Sequence, residues 1–382
     1  MNYVYLDNGA TSFPKAPGVV ESLSNYILNV GSNVGRGAYD LSYQAENVVY
    51  ETRELLCELF NFPQAENVVF TKNITESLNV LIKGLLEEGD HVIVSSMEHN
   101  AVMRPLNSLE DKIEYSKVSC NQLGDIQAAD VEAAIKPHTK AVVMTHASNV
   151  CGTILDLEMI GEICNKHHLW FIIDSAQTAG FLDIDFQKLK ADALGFTGHK
   201  GLLGPQGIGG FIISDRLAEQ VSPLMEGGTG SLSDEEIQPA YMPDKFEAGT
   251  LNIPGIYGLN ASLKYLLARG LASIREEEMQ LNKVFLEELL NMKNVEVIGK
   301  KTVTDRTSII SVNFPLEDNG NIAHKLSHKY RIMSRSGLHC APSAHKTLGT
   351  FPEGTVRFSL SHFTSLAEIA YAIDCINSLI NK

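Results

Sequence analysis

Short and almost wholly apolar segments alternate with helical patterns between about Ala45 and Ile213, and this alternation constrains the fold more than any other feature. The apolar segments predict strands at residues 68–70, 91–94, 141–145, 170–173 and 209–213. Strands that are apolar on both faces and separated by helices are typical of a mostly parallel sheet covered by helices on each side. In such sheets, ligands bind beyond the carboxyl ends of the strands.

The pattern changes after residues 249–255. A long helical stretch over about 256–292, rich in Leu, Glu and Lys, precedes two further strands near 295–297 and 308–312. Single hydrophobic cores stop growing at roughly 250–300 residues, so a chain of 382 residues is expected to form two domains. We predict a large α/β domain over residues 15–255 and a smaller α+β domain over residues 256–382 together with residues 1–14.

The charge balance excludes two classes of partner. With 31 basic and 46 acidic side chains the net charge is −15, whereas nucleic acids and anionic membranes require clustered Lys and Arg. No apolar run approaches the roughly 18 residues that cross a bilayer, and the amino terminus lacks the pattern of a secretion signal. Six cysteines are scattered without a C-x-x-C pair. We therefore expect an enzyme of the reducing cytoplasm, which must bind any anionic ligand locally.

Two short motifs indicate a cofactor. A Thr-Gly-His triplet precedes Lys200, and Asp174 follows the apolar run 170–173. A lysine amine can bind pyridoxal 5'-phosphate covalently, and a buried carboxylate can keep the pyridine nitrogen of that cofactor protonated. The alternative for Asp174 is an ordinary turn residue after a strand. Together, the two motifs predict a pyridoxal phosphate enzyme.

The phosphate of that cofactor carries about two negative charges, and an acidic protein must hold it with oriented donors. Thr75 lies where a predicted helix begins after the strand at 68–70, so free backbone N–H groups and its hydroxyl can face an anion. Thr197 and His199 can supply donors from the opposite side. The alternative for Thr75 is a simple helix cap, because threonine is a preferred capping residue.

Three further polar residues follow predicted strands near the same edge of the sheet. Gln177 lies three residues after Asp174, where its amide can reach the phenolic oxygen of the cofactor. His99 can stack on the pyridine face, and Asn149 follows the strand at 141–145. A lone histidine is more often an ordinary polar residue, so the interpretation of His99 depends on the rest of this set.

Nine short segments resemble, in order along nearly the whole chain, those of class V aminotransferase-fold enzymes, especially cysteine desulfurases and selenocysteine lyases. The segments are residues 7–11, 33–37, 73–76, 98–100, 148–153, 174–177, 197–200, 246–250 and 335–341. The resemblance implies the aspartate aminotransferase-like fold type I of pyridoxal phosphate-dependent transferases, an α/β fold. It comprises a large domain built on a mainly parallel seven-stranded sheet and a smaller α+β domain. The resemblance also implies a homodimer with shared active sites.

The resemblance implies a role for each matching residue. The implied catalytic residues are Lys200, Cys340 and His99. The implied cofactor-binding residues are Thr75, Glu76, His99, Asn149, Asp174, Gln177, Thr197, His199, Lys200 and Thr250, the last reaching the phosphate of the neighbouring subunit. The implied substrate-binding residues are Arg357, Asn149, Arg36 and Arg335. Arginine suits bidentate recognition of the substrate α-carboxylate, whereas the alternative for Arg357 is a strand-edge arginine paired with a surface carboxylate.

Cys340 distinguishes a desulfurase from an aminotransferase. A thiolate can attack the sulfur of a substrate cysteine, which leaves a persulfide on the enzyme and releases alanine. The flanking His339 and Arg335 can favour the thiolate electrostatically. The alternative is a buried structural cysteine, the usual state of free cysteines. We assign that state to Cys57, Cys120, Cys151, Cys164 and Cys375.

Motifs and resemblance together predict a cysteine desulfurase that converts L-cysteine to L-alanine and a Cys340 persulfide. The alternatives are an aminotransferase, a selenocysteine or cysteine sulfinate lyase, and a non-catalytic regulatory protein that binds the same cofactor. The persulfide is expected to pass to a thiol or to a sulfur-acceptor protein, for example in iron–sulfur cluster assembly. Gly35 and Leu338 depart from the best-known group of these enzymes, in which both are typically histidines.

Overall fold

The computed structural model describes residues 3–35 and 37–380. The strands in these residues are β1 (Val4–Tyr5), β2 (Val68–Thr71), β3 (His91–Ser95), β4 (Glu114–Val118), β5 (Thr139–Thr145), β6 (Trp170–Asp174), β7 (Ala193–Thr197), β8 (Gly209–Ile213), β9 (Glu296–Ile298), β10 (Ile309–Asn313), β11 (Ile332–Met333), β12 (Arg335–Gly337) and β13 (Thr355–Ser359). The α-helices are α1 (Val19–Asn25), α2 (Asp40–Phe60), α3 (Ile74–Leu85), α4 (Asn100–Asn107), α5 (Ala128–Ala133), α6 (Leu157–Lys166), α7 (Asp215–Gln220), α8 (Ile253–Arg269), α9 (Leu271–Asn291), α10 (Asn319–Tyr330), α11 (Pro342–Thr347) and α12 (Leu366–Ile380).

Seven strands form one sheet in the order β2-β8-β7-β6-β5-β3-β4. Strand β8 is antiparallel to both of its neighbours, and the other pairs are parallel. The prediction of a large, mainly parallel seven-stranded sheet is confirmed. Each of the five strands predicted for this sheet is present, with ends that differ by at most two residues.

Strands β4 and β7 lack the sequence signal that identifies the other five. Strand β4 lies at the edge of the sheet, and its polar sequence Glu-Tyr-Ser-Lys-Val is largely accessible to solvent. Strand β7 is buried along its whole length, but its short segment contains Gly195, and strands disfavour glycine.

Alternate residues of the central strands pack into two separate cores, one on each face of the sheet. Val92 and Val94 of β3 belong to one core, and Ile93 between them belongs to the other. Both faces of these strands are therefore apolar, which explains why their sequences are continuous apolar runs.

A second, antiparallel sheet has the order β12-β13-β10-β9 and forms a third core with α9, α10 and α12. Strand β1 pairs in parallel with β11, so the amino-terminal residues pack against this part of the chain. The long helical stretch predicted over 256–292 is two helices, because Gly270 between α8 and α9 has a φ of 77° that interrupts the helix. The limits proposed for the two domains remain predictions.

Polar segments follow the carboxyl ends of β7, β6, β5 and β3, which are four consecutive strands of the large sheet. This edge of the sheet is where an α/β fold places its ligands. In the described parts of the chain, no helix combines the length and apolar character needed to span a bilayer.

Candidate active site

A cavity of about 240 Å³ opens at the carboxyl ends of these four strands. It brings together eight of the residues predicted to form the site. The residues lining it are Asn73, Ile74, Thr75, His99, Thr145, Asn149, Asp174, Ala176, Gln177, Thr197, His199 and Lys200.

Lys200 and Asp174 are the two charged residues of this lining. Burial lowers the pKa of Lys200 to about 8, and the charge of Asp174 opposes this shift. Asp174 is 2% exposed and accepts a hydrogen bond of 2.9 Å from the backbone nitrogen of Ala176. Burial raises the pKa of Asp174. A buried carboxylate of this kind is stabilised by a cationic partner, such as a protonated ring nitrogen placed in the cavity.

One side of the cavity presents polar groups that have no partner within the described residues. These are the Thr197 hydroxyl and Nδ1 of His199, both buried. Burial, followed by the charges of Lys200 and Lys15, lowers the pKa of His199 to about 4, so its ring is neutral at pH 7. Thr75 lies in the first turn of α3, where backbone N–H groups have no helical acceptor. This side of the cavity can therefore bind an anion.

Two of the predicted cofactor-binding residues, Glu76 and Gln177, have hydrogen-bond partners elsewhere in the chain. Asn73 caps α3 by accepting a hydrogen bond of 3.1 Å from the backbone nitrogen of Glu76, so the alternative that Thr75 is the cap is wrong. The Glu76 carboxylate accepts a hydrogen bond of 2.6 Å from the backbone nitrogen of Lys72, and Glu76 does not line the cavity. Gln177 lines the cavity while its amide donates a hydrogen bond of 3.1 Å to the carbonyl of Gly9. The fold thus brings Gln177, but not Glu76, to the predicted cofactor site.

His99 immediately precedes α4 and is held as a neutral ring. Its Nδ1 accepts a hydrogen bond of 3.0 Å from the backbone nitrogen of Ala101, so the proton of the neutral imidazole lies on Nε2. Burial, followed by the charge of Lys200, lowers the pKa of His99 to about 4. The cavity therefore contacts an uncharged aromatic ring with one N–H donor.

Glu98 is a buried acid that the sequence reasoning did not assign to the site. Its carboxyl group accepts a hydrogen bond of 2.5 Å from the Ser95 hydroxyl and one of 3.0 Å from the backbone nitrogen of Thr145. Burial raises the pKa of Glu98 to about 8, and the charge of Asp174 acts in the same direction. The sequence signal that could have identified Glu98 is its position directly before His99, shortly after the apolar strand β3.

The Cys340 loop is fixed against the large sheet by its backbone. The carbonyl of Cys340 accepts a hydrogen bond of 2.8 Å from the backbone nitrogen of Asn100, and the carbonyl of His339 accepts one of 2.7 Å from the Asn149 amide. His339 and Cys340 have φ values of 47° and 57°, in the left-handed region. Cys340 is exposed and lies within range of electrostatic interaction with Lys200.

The environment of the thiol differs in one respect from the prediction. Burial lowers the pKa of His339 to about 2, so this ring is neutral and the expected electrostatic support from it is wrong. Arg335 lies within range of electrostatic interaction with Cys340, and its support of the thiolate remains a prediction. The other cysteines are buried, apart from a partly exposed Cys57, and burial raises the pKa of that thiol to about 11.

Arg357 on β13 is 2% exposed, and one of its three nitrogens has no hydrogen-bond partner among the described residues. Its Nη1 donates a hydrogen bond of 2.9 Å to the carbonyl of Asn149, and its Nη2 donates one of 3.3 Å to Oδ1 of Asp7. Its Nε is buried and unpaired. The alternative of a strand-edge arginine with a surface carboxylate does not fit a side chain buried to this extent.

Asp7 also binds the second predicted arginine. Nη2 of Arg335 donates a hydrogen bond of 2.8 Å to Oδ2 of Asp7, and Nε donates one of 3.2 Å to the same oxygen. Asp7 lies in one of the segments noted in the sequence, where no chemical signal distinguished it from a turn residue. The structure therefore adds an acid that lies between Arg335 and Arg357.

Thr250 does not line this cavity. It is exposed and borders a separate cavity of about 700 Å³, together with Tyr50, Arg53 and Thr229. Arg36, the remaining predicted substrate-binding residue, lies outside the described residues.

Comparison with known proteins identifies the family. The family model described as aminotransferase class V matches residues 4–371. The chain belongs to the class V aminotransferase family. A protein of Pyrococcus abyssi named "Probable cysteine desulfurase" is 33% identical, with 99% of this chain and 94% of the relative covered. A protein of the same name from Methanothermobacter thermautotrophicus is also 33% identical, with 96% of this chain and 92% of the relative covered.

Solved structures of this family share the architecture. The apo structure of a cysteine desulfurase from Thermococcus onnurineus NA1 superposes with a TM-score of 0.93 at 33% sequence identity and covers 99% of this chain and 95% of that one. The prediction of the class V aminotransferase fold is confirmed.

Proposed function

We propose that this class V aminotransferase is a pyridoxal phosphate-dependent cysteine desulfurase. It removes sulfur from L-cysteine, releases L-alanine and retains the sulfur as a persulfide on Cys340. The observation that carries this assignment is an exposed thiol held by its own backbone beside the cavity that contains Lys200. The names of the relatives support the same activity.

The cavity fits pyridoxal phosphate. The unpaired Thr197 hydroxyl and His199 Nδ1, with the first turn of α3 at Thr75, match the needs of a phosphate group. Asp174 matches the needs of a protonated pyridine nitrogen, and Lys200 supplies an amine. When bound, the cofactor supplies an aldehyde that reacts with amines and a ring that accepts electrons from the substrate Cα.

Arg357 holds the substrate in this proposal. Its unpaired Nε–H can donate to the α-carboxylate of an amino acid, and its two other nitrogens are fixed by Asn149 and Asp7. Charge-assisted hydrogen bonds from a fixed guanidinium favour a single orientation of a carboxylate. The amino acid is thereby positioned between Arg357, Lys200 and Cys340.

Lys200 moves the proton. With a pKa of about 8, its amine is partly neutral near pH 7 and can accept the Cα proton of the substrate. His99 is a neutral ring whose Nδ1 accepts a hydrogen bond from the backbone. Its Nε2–H can therefore donate a hydrogen bond without adding charge. The same lysine can later return the proton to carbon.

Cys340 accepts the sulfur. Its thiolate attacks the sulfur of the substrate, a new S–S bond forms, and the C–S bond breaks with its electron pair remaining on carbon. Protonation of that carbon gives alanine. L-Cysteine and the Cys340 thiol thus become L-alanine and the Cys340 persulfide, with no added oxidant or reductant. A thiol or a sulfur-acceptor protein then removes the terminal sulfur, as expected in a reducing cytoplasm.

A homodimer completes the site in this proposal. Thr250 is exposed beside the 700 Å³ cavity, and the same side of the chain exposes Tyr43 by 53% and Tyr50 by 55% on α2. A second copy that covers these rings would bring Thr250 to the phosphate of its neighbour. Sedimentation equilibrium tests the dimer, and Thr250→Val should weaken cofactor binding even though Thr250 does not line the cavity of its own chain.

Replacement of the nucleophile tests the activity. Purified holoenzyme carrying Cys340→Ala should retain its visible cofactor absorbance but release no sulfide and form no persulfide from L-cysteine. Cys57→Ala is the matched control, because Cys57 is the other cysteine that is not fully buried, and it should keep wild-type turnover. Undiminished sulfide release by Cys340→Ala, or transfer of the substrate amine to a keto acid, would instead assign an aminotransferase or a lyase.

A further inference from the structure

Asp7 lies between two arginines, Arg335 and Arg357, that both interact electrostatically with Lys200 of the cavity. It is 9% exposed, and its two carboxylate oxygens accept hydrogen bonds from Arg335 at 2.8 Å and from Arg357 at 3.3 Å. Two contacts with Ser359 fix the segment that carries Asp7. Asp7 bridges Ser359 at the end of β13, and the backbone nitrogen of Gly9 donates a hydrogen bond of 2.7 Å to the Ser359 hydroxyl.

The two arginines differ in how firmly the rest of the chain holds them. The side chain of Arg357 is 3% exposed and also donates to the carbonyl of Asn149. The side chain of Arg335 is 51% exposed, and Asp7 is the partner that binds both its Nε and its Nη2. Loss of the Asp7 charge would therefore release Arg335 much more than Arg357.

The net charge of Arg335, Arg357 and Asp7 together can be balanced by one anionic group. Arg335 and Arg357 contribute two positive charges and Asp7 removes one. The α-carboxylate of a single amino acid balances the remaining charge through the unpaired Nε of Arg357. A second anionic group on the substrate would need Arg335, whose Nε and Nη2 already bind the Asp7 carboxylate.

We propose that Asp7 is a specificity-determining positioning residue, which occupies Arg335 and so disfavours amino acids with a second anionic group, such as a sulfinate or a β-carboxylate. This rests on the proposed function, in which Arg357 binds an amino acid carboxylate. Asp7→Asn keeps the shape of the side chain, removes its charge and releases Arg335 for such a group. The same change does not touch Cys340 or Lys200.

Binding of unreactive acids to the holoenzyme tests this role without sulfur chemistry. Calorimetric titration with propionate and succinate gives the ratio of monocarboxylate to dicarboxylate affinity. Asp7→Asn should shift this ratio toward succinate by at least tenfold, equivalent to about 1.4 kcal/mol. Asp7→Glu, which retains the charge, should restore most of the wild-type ratio. Turnover of L-cysteine sulfinate relative to L-cysteine should shift in the same direction.

Asp192→Asn is the matched control. Asp192 is 4% exposed and accepts a hydrogen bond of 2.8 Å from Arg216, whose side chain is 66% exposed, but the pair lies outside the cavity lining. This variant should leave the acid ratio unchanged. Equal losses of propionate and succinate affinity in Asp7→Asn, with no change in their ratio, would show that Asp7 is only structural.

A second variant keeps the idea testable if Asp7→Asn does not fold. Arg335→Gln should leave the ratio of succinate to propionate affinity within about twofold of wild type, because Asp7 already occupies Arg335 in the native protein. A large loss of succinate binding in Arg335→Gln would show that Arg335 is available to ligands despite Asp7, and would overturn the proposed role. If Cys340→Ala retains full sulfide release, the proposed activity is wrong, but the ratio of succinate to propionate affinity still tests the role of Asp7.

Discussion

The backbone nitrogen of Asn100 donates a hydrogen bond of 2.8 Å to the carbonyl of Cys340. The helix that follows His99 and the loop that carries the thiol are therefore joined directly. Two successive residues of that loop, His339 and Cys340, adopt left-handed φ angles that cost about 1–3 kcal/mol each in a non-glycine residue. Contacts from the large sheet must offset this cost, and they thereby fix the position of the sulfur nucleophile.

Asn149→Ala should loosen this loop. The variant removes the 2.7 Å hydrogen bond from the Asn149 amide to the carbonyl of His339. We expect sulfide release to fall about tenfold, because one lost bond of this kind is worth about 1 kcal/mol or slightly more, and we expect iodoacetamide to alkylate Cys340 faster. Asn260→Ala is the control, since Asn260 is similarly buried but bonds Glu51 and Thr52. Unchanged alkylation in Asn149→Ala would show that the loop does not depend on this bond.

Thr197→Val should change cofactor binding and protein stability in opposite directions. The Thr197 hydroxyl is buried without a partner, so its removal should leave the melting temperature of the apoprotein unchanged or raise it. The same variant should bind pyridoxal phosphate about tenfold more weakly by equilibrium dialysis, because a phosphate donor is lost. Thr178→Val is the control, because the Thr178 hydroxyl is buried but has partners, and its loss should lower the melting temperature. Full cofactor affinity in Thr197→Val would remove Thr197 from the phosphate site.

Arg357→Lys should raise the KM for L-cysteine much more than it lowers kcat. A hydrogen bond to a charged group is worth about 1.5–3 kcal/mol, so we expect KM to rise about 10-fold to 100-fold. The three donors of a lysine ammonium all lie on one nitrogen, so they cannot reproduce the planar guanidinium that bonds Asn149 and Asp7 through separate nitrogens. Arg306→Lys is a control for loss of a buried guanidinium, because Arg306 bonds only backbone carbonyls away from the cavity. A fall in kcat at constant KM would argue against a substrate clamp.

The main residues of the site were predictable because they follow apolar strands. Asp174, Asn149 and His99 come after strands whose continuous apolar character marks them as central, and the carboxyl ends of parallel strands meet at one edge. Once the strands were placed, the convergence of these residues followed from the architecture. The overall class of the fold was predictable for the same reason.

The features that the sequence did not reveal depend on contacts and burial that no pattern of residue types marks. Asp7 meets Arg335 only because β1 pairs with β11, and no local pattern encodes that pairing. The carboxylate of Glu76 turns to the backbone nitrogen of Lys72 instead of the cavity, a choice set by the capping geometry of α3. His339 is neutral because it is buried, which its neighbours in sequence could not indicate.

Glu98→Gln should alter the pH dependence of stability. The pKa of Glu98 is about 8 in the folded protein and 4.5 in an ordinary exposed glutamate. Between these values the unfolded chain releases a proton that the folded chain retains, so the contribution of Glu98 is complete below about pH 4.5 and is lost as the pH rises through 8. Glutamine has a similar shape and does not titrate.

The free energy of unfolding of the wild type, minus that of Glu98→Gln, should therefore fall as pH increases from 5 to 8. The slope within this window is at most about 1.4 kcal/mol per pH unit, the value for one proton. Other titrating groups are common to both proteins and cancel in the difference. Ser95→Ala removes a hydrogen bond that lowers the pKa of Glu98, so in that variant the loss of stability should extend to higher pH. Denaturant unfolding at closely spaced pH values measures both effects, and a difference that does not change with pH would mean that Glu98 is ionised in the folded protein.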